Sequence, residues 1–450
     1  MKHFERRHTR GKIPYTLLCA VLMVFSIGCV KHGPNSKDEG AIADYPNDVL
    51  DKWISLQVRL MKDVVGQPNV IFTRPYAYSG IVAYESIAQG ISDDKWLTIH
   101  WNGLSGLPQA DEWKRYFWPQ TLNAAMAEIN RKFFPKATSV DSAAIDSLES
   151  AIQISFSENS EVIQRSSTFG ASVADAVFNW SETDGYKHAS DPYTPPVGPG
   201  LWVPTPPAFA AASTPYWGNL RPVVSGSTDN TQCGPPPFPY SEDPSSDFYK
   251  MVLQVYTASQ NLTPDQTAMA LYWRDIPGVT SPGHWLNILH EVLQQTGARL
   301  GQAAFAYALT GASINDAGII CWHCKYTYNQ VRPITYIRGV MGYSAWNSLL
   351  TTPAHPEYPS AHAVISSATA EAFTRIFGNI GSFTDHTYDY LGFAPRTFSS
   401  FRAIGIDAGN SRLYAGLHYQ PSIDTGLIQG TKVAINIFDL ILKNPSKSDY

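Results

Sequence analysis

Lys325-Tyr-Thr-Tyr-Asn-Gln-Val-Arg332-Pro333 is followed by Pro359-Ser360-Ala361-His362 and then by Ser411-Arg412-Leu-Tyr-Ala-Gly416-Leu-His418. Together the three stretches supply one lysine, two arginines, the Ser360 hydroxyl and two histidines, and none of them contains a carboxylate. Cations and donors gathered without acids suit a tetrahedral or trigonal-bipyramidal oxyanion such as phosphate or vanadate. Pro333 disfavours helical geometry at Arg332, so the helix carrying Lys325 is expected to end near there, with both cations facing one pocket. Taken alone, that basic pair would simply complement a helix C-terminus. Pro359-Ser360 precedes a helical run over 363–377, which puts Ser360 near an N-cap, where backbone N–H groups and the helix dipole favour an anion. Ala361 still carries an amide donor, and His362 stands beside the anion with a useful near-neutral pKa.

The order and spacing of these motifs resemble the vanadium haloperoxidase and type 2 phosphatidic acid phosphatase superfamily, whose pattern reads KxxxxxxRP, PSGH and SRxxxxxH. One residue departs from it, Ala361 in place of Gly. The resemblance implies an all-α fold of packed helical bundles with long loops. It also implies an oxyanion cradle of Lys325, Arg332, Ser360, Ala361, Arg412 and His418, with His362 as acid–base residue. With vanadate as cofactor, His418 bonds it, Arg412 clamps its oxygens and Lys325 polarises peroxide, so that halide is oxidised. With phosphate in the same pocket, His418 is instead the nucleophile of an acid phosphatase acting on a phosphomonoester through a phosphohistidine. A non-catalytic oxyanion-binding lipoprotein is the third reading. Related proteins carry Asp four residues after the axial histidine; here that place holds Ser422, and Asp424 follows. By the same resemblance, Trp322 and His355 fall at pocket positions, and His355 favours bromide or iodide over chloride. The competing reading of His355 is a solvent-facing loop histidine.

Outward from the motifs, Ser313 with Asp316 has capping-box spacing and is expected to open the helix that leads to Lys325. His284 is read as a surface or cap histidine, the alternative being a residue that lines the site, where similar proteins often have a polar residue. Cys321-Trp-His-Cys324 has CxxC spacing, but no second pair completes a zinc set, so two packed thiols are expected. Thr263-Pro264-Asp265-Gln266 reads as a capping box with Pro at the first helical position. Residues 186–245 are too rich in Pro and Gly for regular helix and too rich in Trp and Tyr for a disordered linker, so they are expected to form an ordered cover near the pocket mouth. Residues 44–185 read as helical, with Val49, Trp53, Leu56, Leu60 and Val64 at helical spacing and a capping pair at Thr138 and Asp141. Arg74 and Glu85 are assigned structural roles.

The chain is expected to divide into a leader (1–29), a tether (30–43), an N-terminal helical region (44–245) and a C-terminal helical region (246–450). Arg6, Arg7, Arg10 and Lys12 precede an apolar run ending at Ser26-Ile27-Gly28-Cys29, which looks like a bacterial lipobox. The expected product is an exported lipoprotein held to a membrane only through lipid on Cys29. With 33 basic and 38 acidic residues in 450, the balance gives no sign of nucleic-acid binding. The expected partners are small: hydrogen peroxide and halide, or a phosphomonoester.

Overall fold

A computed structural model of the chain describes residues 42–442 apart from 65–66, 92–96 and 276–278. The leader, Cys29 and most of the tether lie outside the described residues. Thirteen α-helices carry the fold among them, with one short antiparallel ribbon, β1 (Phe383–Asp385) and β2 (Arg396–Phe398), pairing Phe383 with Phe398.

The first helices are α1 (Asp48–Asp63), α2 (Thr73–Glu85), α3 (Trp118–Phe133), α4 (Ser139–Ile154) and α5 (Ser160–Ser181). Val49, Trp53, Leu56 and Leu60 form the buried stripe of α1, as their spacing requires. Thr138 caps α4 by accepting from the Asp141 amide. Arg74 and Glu85 hold structure together: Arg74 Nε lies 2.7 Å from Asp184, and Glu85 accepts from Thr98 and the Trp101 indole.

After the Pro/Trp-rich segment come α6 (Asp247–Gln260), α7 (Pro264–Tyr272), α8 (Ser281–Thr296) and α9 (Leu300–Tyr328). The expected capping box at Thr263 and Gln266 opens α7. The expectation for Ser313 and Asp316 is corrected, because α9 begins thirteen residues earlier and both lie inside it. The run from Leu300 is apolar around its whole circumference, so the helix is buried on all sides and runs straight through a pair that would cap it elsewhere. Ser313 bonds back to the Leu309 carbonyl, while buried Asp316 accepts from the Val223 and Val224 amides and the Ser227 hydroxyl. A polar pair read as a helix start is thus an anchor for the cover segment.

The chain ends with α10 (Pro333–Gly339), α11 (Ala361–Phe377), α12 (Phe401–Tyr414) and α13 (Gln420–Leu442). Helix α9 packs along α2, and α11 packs between α9, α12 and α13. The α2–α9 approach depends on glycine: a Cβ on Gly80 would lie 2.5 Å from the Tyr307 carbonyl oxygen. None of the described helices is long and apolar enough to cross a membrane.

The segment over 186–245 forms only short 3-10 turns, yet Trp202 and Trp217 are fully buried. It lies on the end of α9: Trp202 N–H donates to the Asn329 carbonyl at 2.7 Å and Trp322 Nε1 to Thr214 at 3.1 Å. Ser213 N–H donates to the Ala354 carbonyl, so the same segment also reaches the loop before α11.

Candidate active site

Three helix ends meet at one buried point. Helix α9 stops with Asn329 in the left-handed region (φ 46°), and Arg332 follows as the extended residue before Pro333 (φ −77°, ψ 151°). Lys325 therefore lies in the last turn of α9 and Arg332 caps α10, as the proline predicts. Helix α11 begins at Ala361 with Ser360 as its N-cap residue. Ala361 has no positive φ, so its methyl group imposes no backbone strain where glycine is usual.

The third element ends in a Schellman turn. Gly416 (φ 76°) donates to the Leu413 carbonyl, and Leu417 donates to that of Arg412 at 3.0 Å. The chain reverses there, so Arg412 and His418, six residues apart, face the same place. The spacing is the length of one helix stop.

Arg332, fully buried, forks between two imidazoles: Nη1 lies 3.2 Å from His418 Nε2 and Nη2 3.0 Å from His355 Nδ1. Lys325 is also fully buried, and its ammonium donates to the carbonyls of Pro356, Glu357 and Pro359 at 2.9, 2.9 and 2.6 Å. Arg412 donates from Nη2 to the Ala270 carbonyl, and its Nη1 lies 3.4 Å from His362 Nε2. Among the described residues neither Arg332 nor Arg412 is in an ion pair. Burial pushes both guanidinium groups down, to about 10, and lowers the Lys325 ammonium as well.

His418 and His362 are held well below the usual histidine range by burial first, then by neighbouring cations (Arg332 and Lys325 for His418, Arg412 for His362). Both are neutral at pH 7. His418 Nδ1 lies 2.9 Å from Glu357 Oε1, which also accepts from the Tyr419 amide, while Oε2 accepts from the Ser422 hydroxyl at 2.7 Å. Burial pushes the Glu357 carboxyl up to about 7, while the Ser422 hydroxyl and Tyr419 amide donate to it and favour its ionised form, which takes the Nδ1–H and leaves the Nε2 lone pair facing Arg332. His362 Nε2 lies 3.1 Å from the Trp273 carbonyl, the shorter of its two contacts, and that acceptor favours the proton on Nε2. Asp275 Oδ2 stands 3.7 Å from the same ring.

The Ser360 hydroxyl is unspent among the described residues. Its residue is fully buried and its Oγ has no hydrogen-bond partner. A buried hydroxyl without a partner is costly, and here it stands at a helix N-terminus. The donors of Ser360, Ala361, Arg332 and Arg412, with the His418 ring, fit a tetrahedral oxyanion; the three N–H groups of Lys325 already go to the Pro356, Glu357 and Pro359 carbonyls, so Lys325 reaches it only by giving one of these up.

Arg332 thus touches His418, Arg412 touches His362, and Lys325 holds the Pro359 carbonyl immediately before Ser360 and Ala361. His355 is buried and its ring lies 5.1 Å from that of Trp322, which places it in the pocket wall rather than in solvent. His284 is neither a surface nor a cap residue: it is buried in α8, 2.6 Å from Asp385 and stacked on Trp273 at 4.4 Å. Asp424 is exposed and, among the described residues, accepts from Gln420, while Glu357 holds His418, so Asp424 does not orient that ring. Ser422 does so indirectly, through Glu357. Glu357 and Asp275 were missed by sequence reasoning; the one available signal was a lone acid inside the Pro-rich run before Ser360.

A family model described as the VCPO second helical-bundle domain matches residues 305–445. A curated relative, the vanadium chloroperoxidase of Curvularia inaequalis, is 24% identical over 276 residues, 50% of this chain and 45% of that protein, so the match spans less than half of the relative's length. Among solved structures, one described as the first bacterial vanadium-dependent iodoperoxidase aligns with a TM-score of 0.80 and 29% identity, covering 90% of this chain and 98% of that one. A bacterial vanadium-dependent chloroperoxidase aligns with a TM-score of 0.64 at 17% identity, over 84% and 94% of the two chains, and supports the fold alone.

Proposed function

We propose that this chain, which belongs to the vanadium haloperoxidase-like superfamily, is a vanadate-dependent haloperoxidase that oxidises halide with hydrogen peroxide, bromide or iodide in preference to chloride. The observation that carries the reading is a neutral, tautomer-fixed His418 in contact with buried Arg332, together with a buried Ser360 hydroxyl that has no hydrogen-bond partner among the described residues, at the start of the helix that carries His362.

When bound, vanadate supplies a Lewis-acidic centre that activates peroxide toward halide. Arg332, Arg412, Ser360 and the amides of the first turn of α11 would hold its oxygens, and His418 Nε2 its central atom; Lys325 would join them by exchanging one of its three carbonyl contacts. Glu357 keeps the proton of His418 on Nδ1. His362, neutral, would accept a proton from incoming peroxide and return it to the departing hydroxide or hypohalite. The cover segment and Trp322 exclude bulk water. His355 beside Trp322 supports the halide preference: a neutral imidazole on Arg332 is a polar wall that suits larger, softer halides.

Phosphomonoester hydrolysis remains the second reading, because the same His418 lone pair serves as a nucleophile toward phosphorus. The test is a side-by-side assay of the purified full chain for iodide and bromide oxidation with vanadate and peroxide, and for phosphate release from a generic monoester. Vanadate-dependent halide oxidation with negligible hydrolysis supports the proposal; hydrolysis inhibited by vanadate, without halide oxidation, overturns it. We further place the protein outside the cytoplasm, lipidated on Cys29. Loss of labelled fatty acid in Cys29→Ser supports that placement, and unlabelled wild-type protein contradicts it.

A further inference from the structure

The thiols that motif chemistry leaves unused form a second polar cluster beside the site. Cys324 immediately precedes Lys325 on α9, and its partner is not Cys321, the other half of the CxxC, but Cys233 of the cover segment. Cys233, Cys324 and Tyr358 make a small buried cluster of their own, with Tyr328 packed against it. Tyr328 donates to the Cys233 carbonyl and Tyr358 to that of Gly234, both at 2.9 Å, so the segment is pinned on either side of the thiol.

Gln429 Nε2 donates to the Cys324 sulfur at 3.3 Å, and the Cys233 thiol and amide lie against it in the same buried cluster. A thiol that only fills space needs no donors, whereas a thiolate does. The same donors, the Cys233 thiol first, bring Cys324 down to about 7. Cys321, one turn away and without them, is pushed up to about 12 by burial. All three thiols are free in the structure. The residues flanking Cys233, Gln232 and Gly234, are exposed, so a small oxidant approaches from that side.

We propose that Cys233 and Cys324 are a peroxide-oxidisable pair whose disulfide ties the cover segment to the helix carrying Lys325. The Cys324 thiolate attacks one peroxide oxygen, the O–O bond breaks, and the departing hydroxide takes up a proton as water, leaving a sulfenic acid on Cys324. The Cys233 sulfur then displaces the sulfenic hydroxyl, which leaves as a second water with the Cys233 proton. Two thiols lose two electrons in total, and one peroxide becomes two waters. The oxidant is a hydroperoxide, which the proposed reaction also consumes. No vanadate is involved, so the inference stands apart from the halide chemistry.

The test uses the reduced full chain without vanadate, treated with hydrogen peroxide, then denatured, alkylated, digested and mapped by mass spectrometry. The expected product is a peptide pair joined through Cys233 and Cys324, two hydrogens lighter than its parts, with Cys321 alkylated and oxidised at least about ten times more slowly. The urea midpoint of the oxidised protein should exceed that of the reduced protein, and Cys233→Ser should remove both the link and that difference. Free Cys233 and Cys324 after excess peroxide, a Cys321–Cys324 link, or a link that leaves the midpoint unchanged would overturn the proposal. The mapping on the unsubstituted chain decides the matter even where a variant fails to fold.

Discussion

His418 Nδ1 stands 2.9 Å from Glu357 Oε1, and that contact decides which nitrogen of the imidazole faces the pocket. Glu357 acts twice, because its own carbonyl accepts from Lys325 at 2.9 Å. One residue of the loop before α11 therefore positions two groups of the site.

Glu357→Gln keeps the shape but puts an amide that can donate where a carboxylate accepts. The opposite tautomer of His418 then becomes available and the Nε2 lone pair is lost part of the time. Vanadate affinity, measured by equilibrium titration, should fall roughly 10- to 100-fold with little change in the far-ultraviolet circular dichroism. Unchanged affinity would remove Glu357 from the account.

Ser360→Ala separates binding from stability. The hydroxyl has no partner in the free protein, so removing it should leave the urea midpoint equal or slightly higher. Oxyanion binding should weaken by about 1.5 kcal/mol, roughly tenfold, since a hydrogen bond to a charged acceptor is lost. A marked loss of stability with unchanged binding would mean that Ser360 is only a cap.

Asp316→Ala strips the acceptor from two buried amides and a hydroxyl that fasten the cover segment to α9. Leaving such donors unsatisfied should cost on the order of 3 kcal/mol or more in chemical denaturation. A change below about 1 kcal/mol would show that water replaces the carboxylate without penalty.

The histidines of the site should titrate low. Burial and adjacent cations depress His355, His362 and His418, whereas Asp389, 2.8 Å from exposed His386, raises that one. For a depressed histidine the unfolded chain binds the proton first. Each of the three therefore contributes stability that is full above the ordinary value near 6.5 and is lost as pH falls through the folded value. Imidazole nuclear magnetic resonance should place three midpoints below 6.5 and that of His386 above it; a midpoint for His418 at or above 6.5 would contradict the neutral-ligand assignment.

Much of this site was legible because its spacings are set by local geometry. Pro333 dictates the extended Arg332, Ser360 sits where a helix must begin, and the interval from Arg412 to His418 is a helix stop with Gly416 at its left-handed position. Glu357 was not legible, since its partner lies 61 residues away and nothing local announces a tertiary contact. Asp316 misled for the opposite reason: its local pattern is a good helix start, and burial of α9 on all sides overrode it. Cys324 showed its neighbour in sequence, Cys321, and hid its neighbour in space, Cys233.

The central claim is tested most directly by iodide oxidation in metal-free full chain as vanadate is added stepwise, with His418→Ala run in parallel. The account predicts activity that rises to saturation at one vanadate per chain and is absent in the variant. Saturated wild-type protein that oxidises no halide, or a His418→Ala chain that remains fully active, would contradict it.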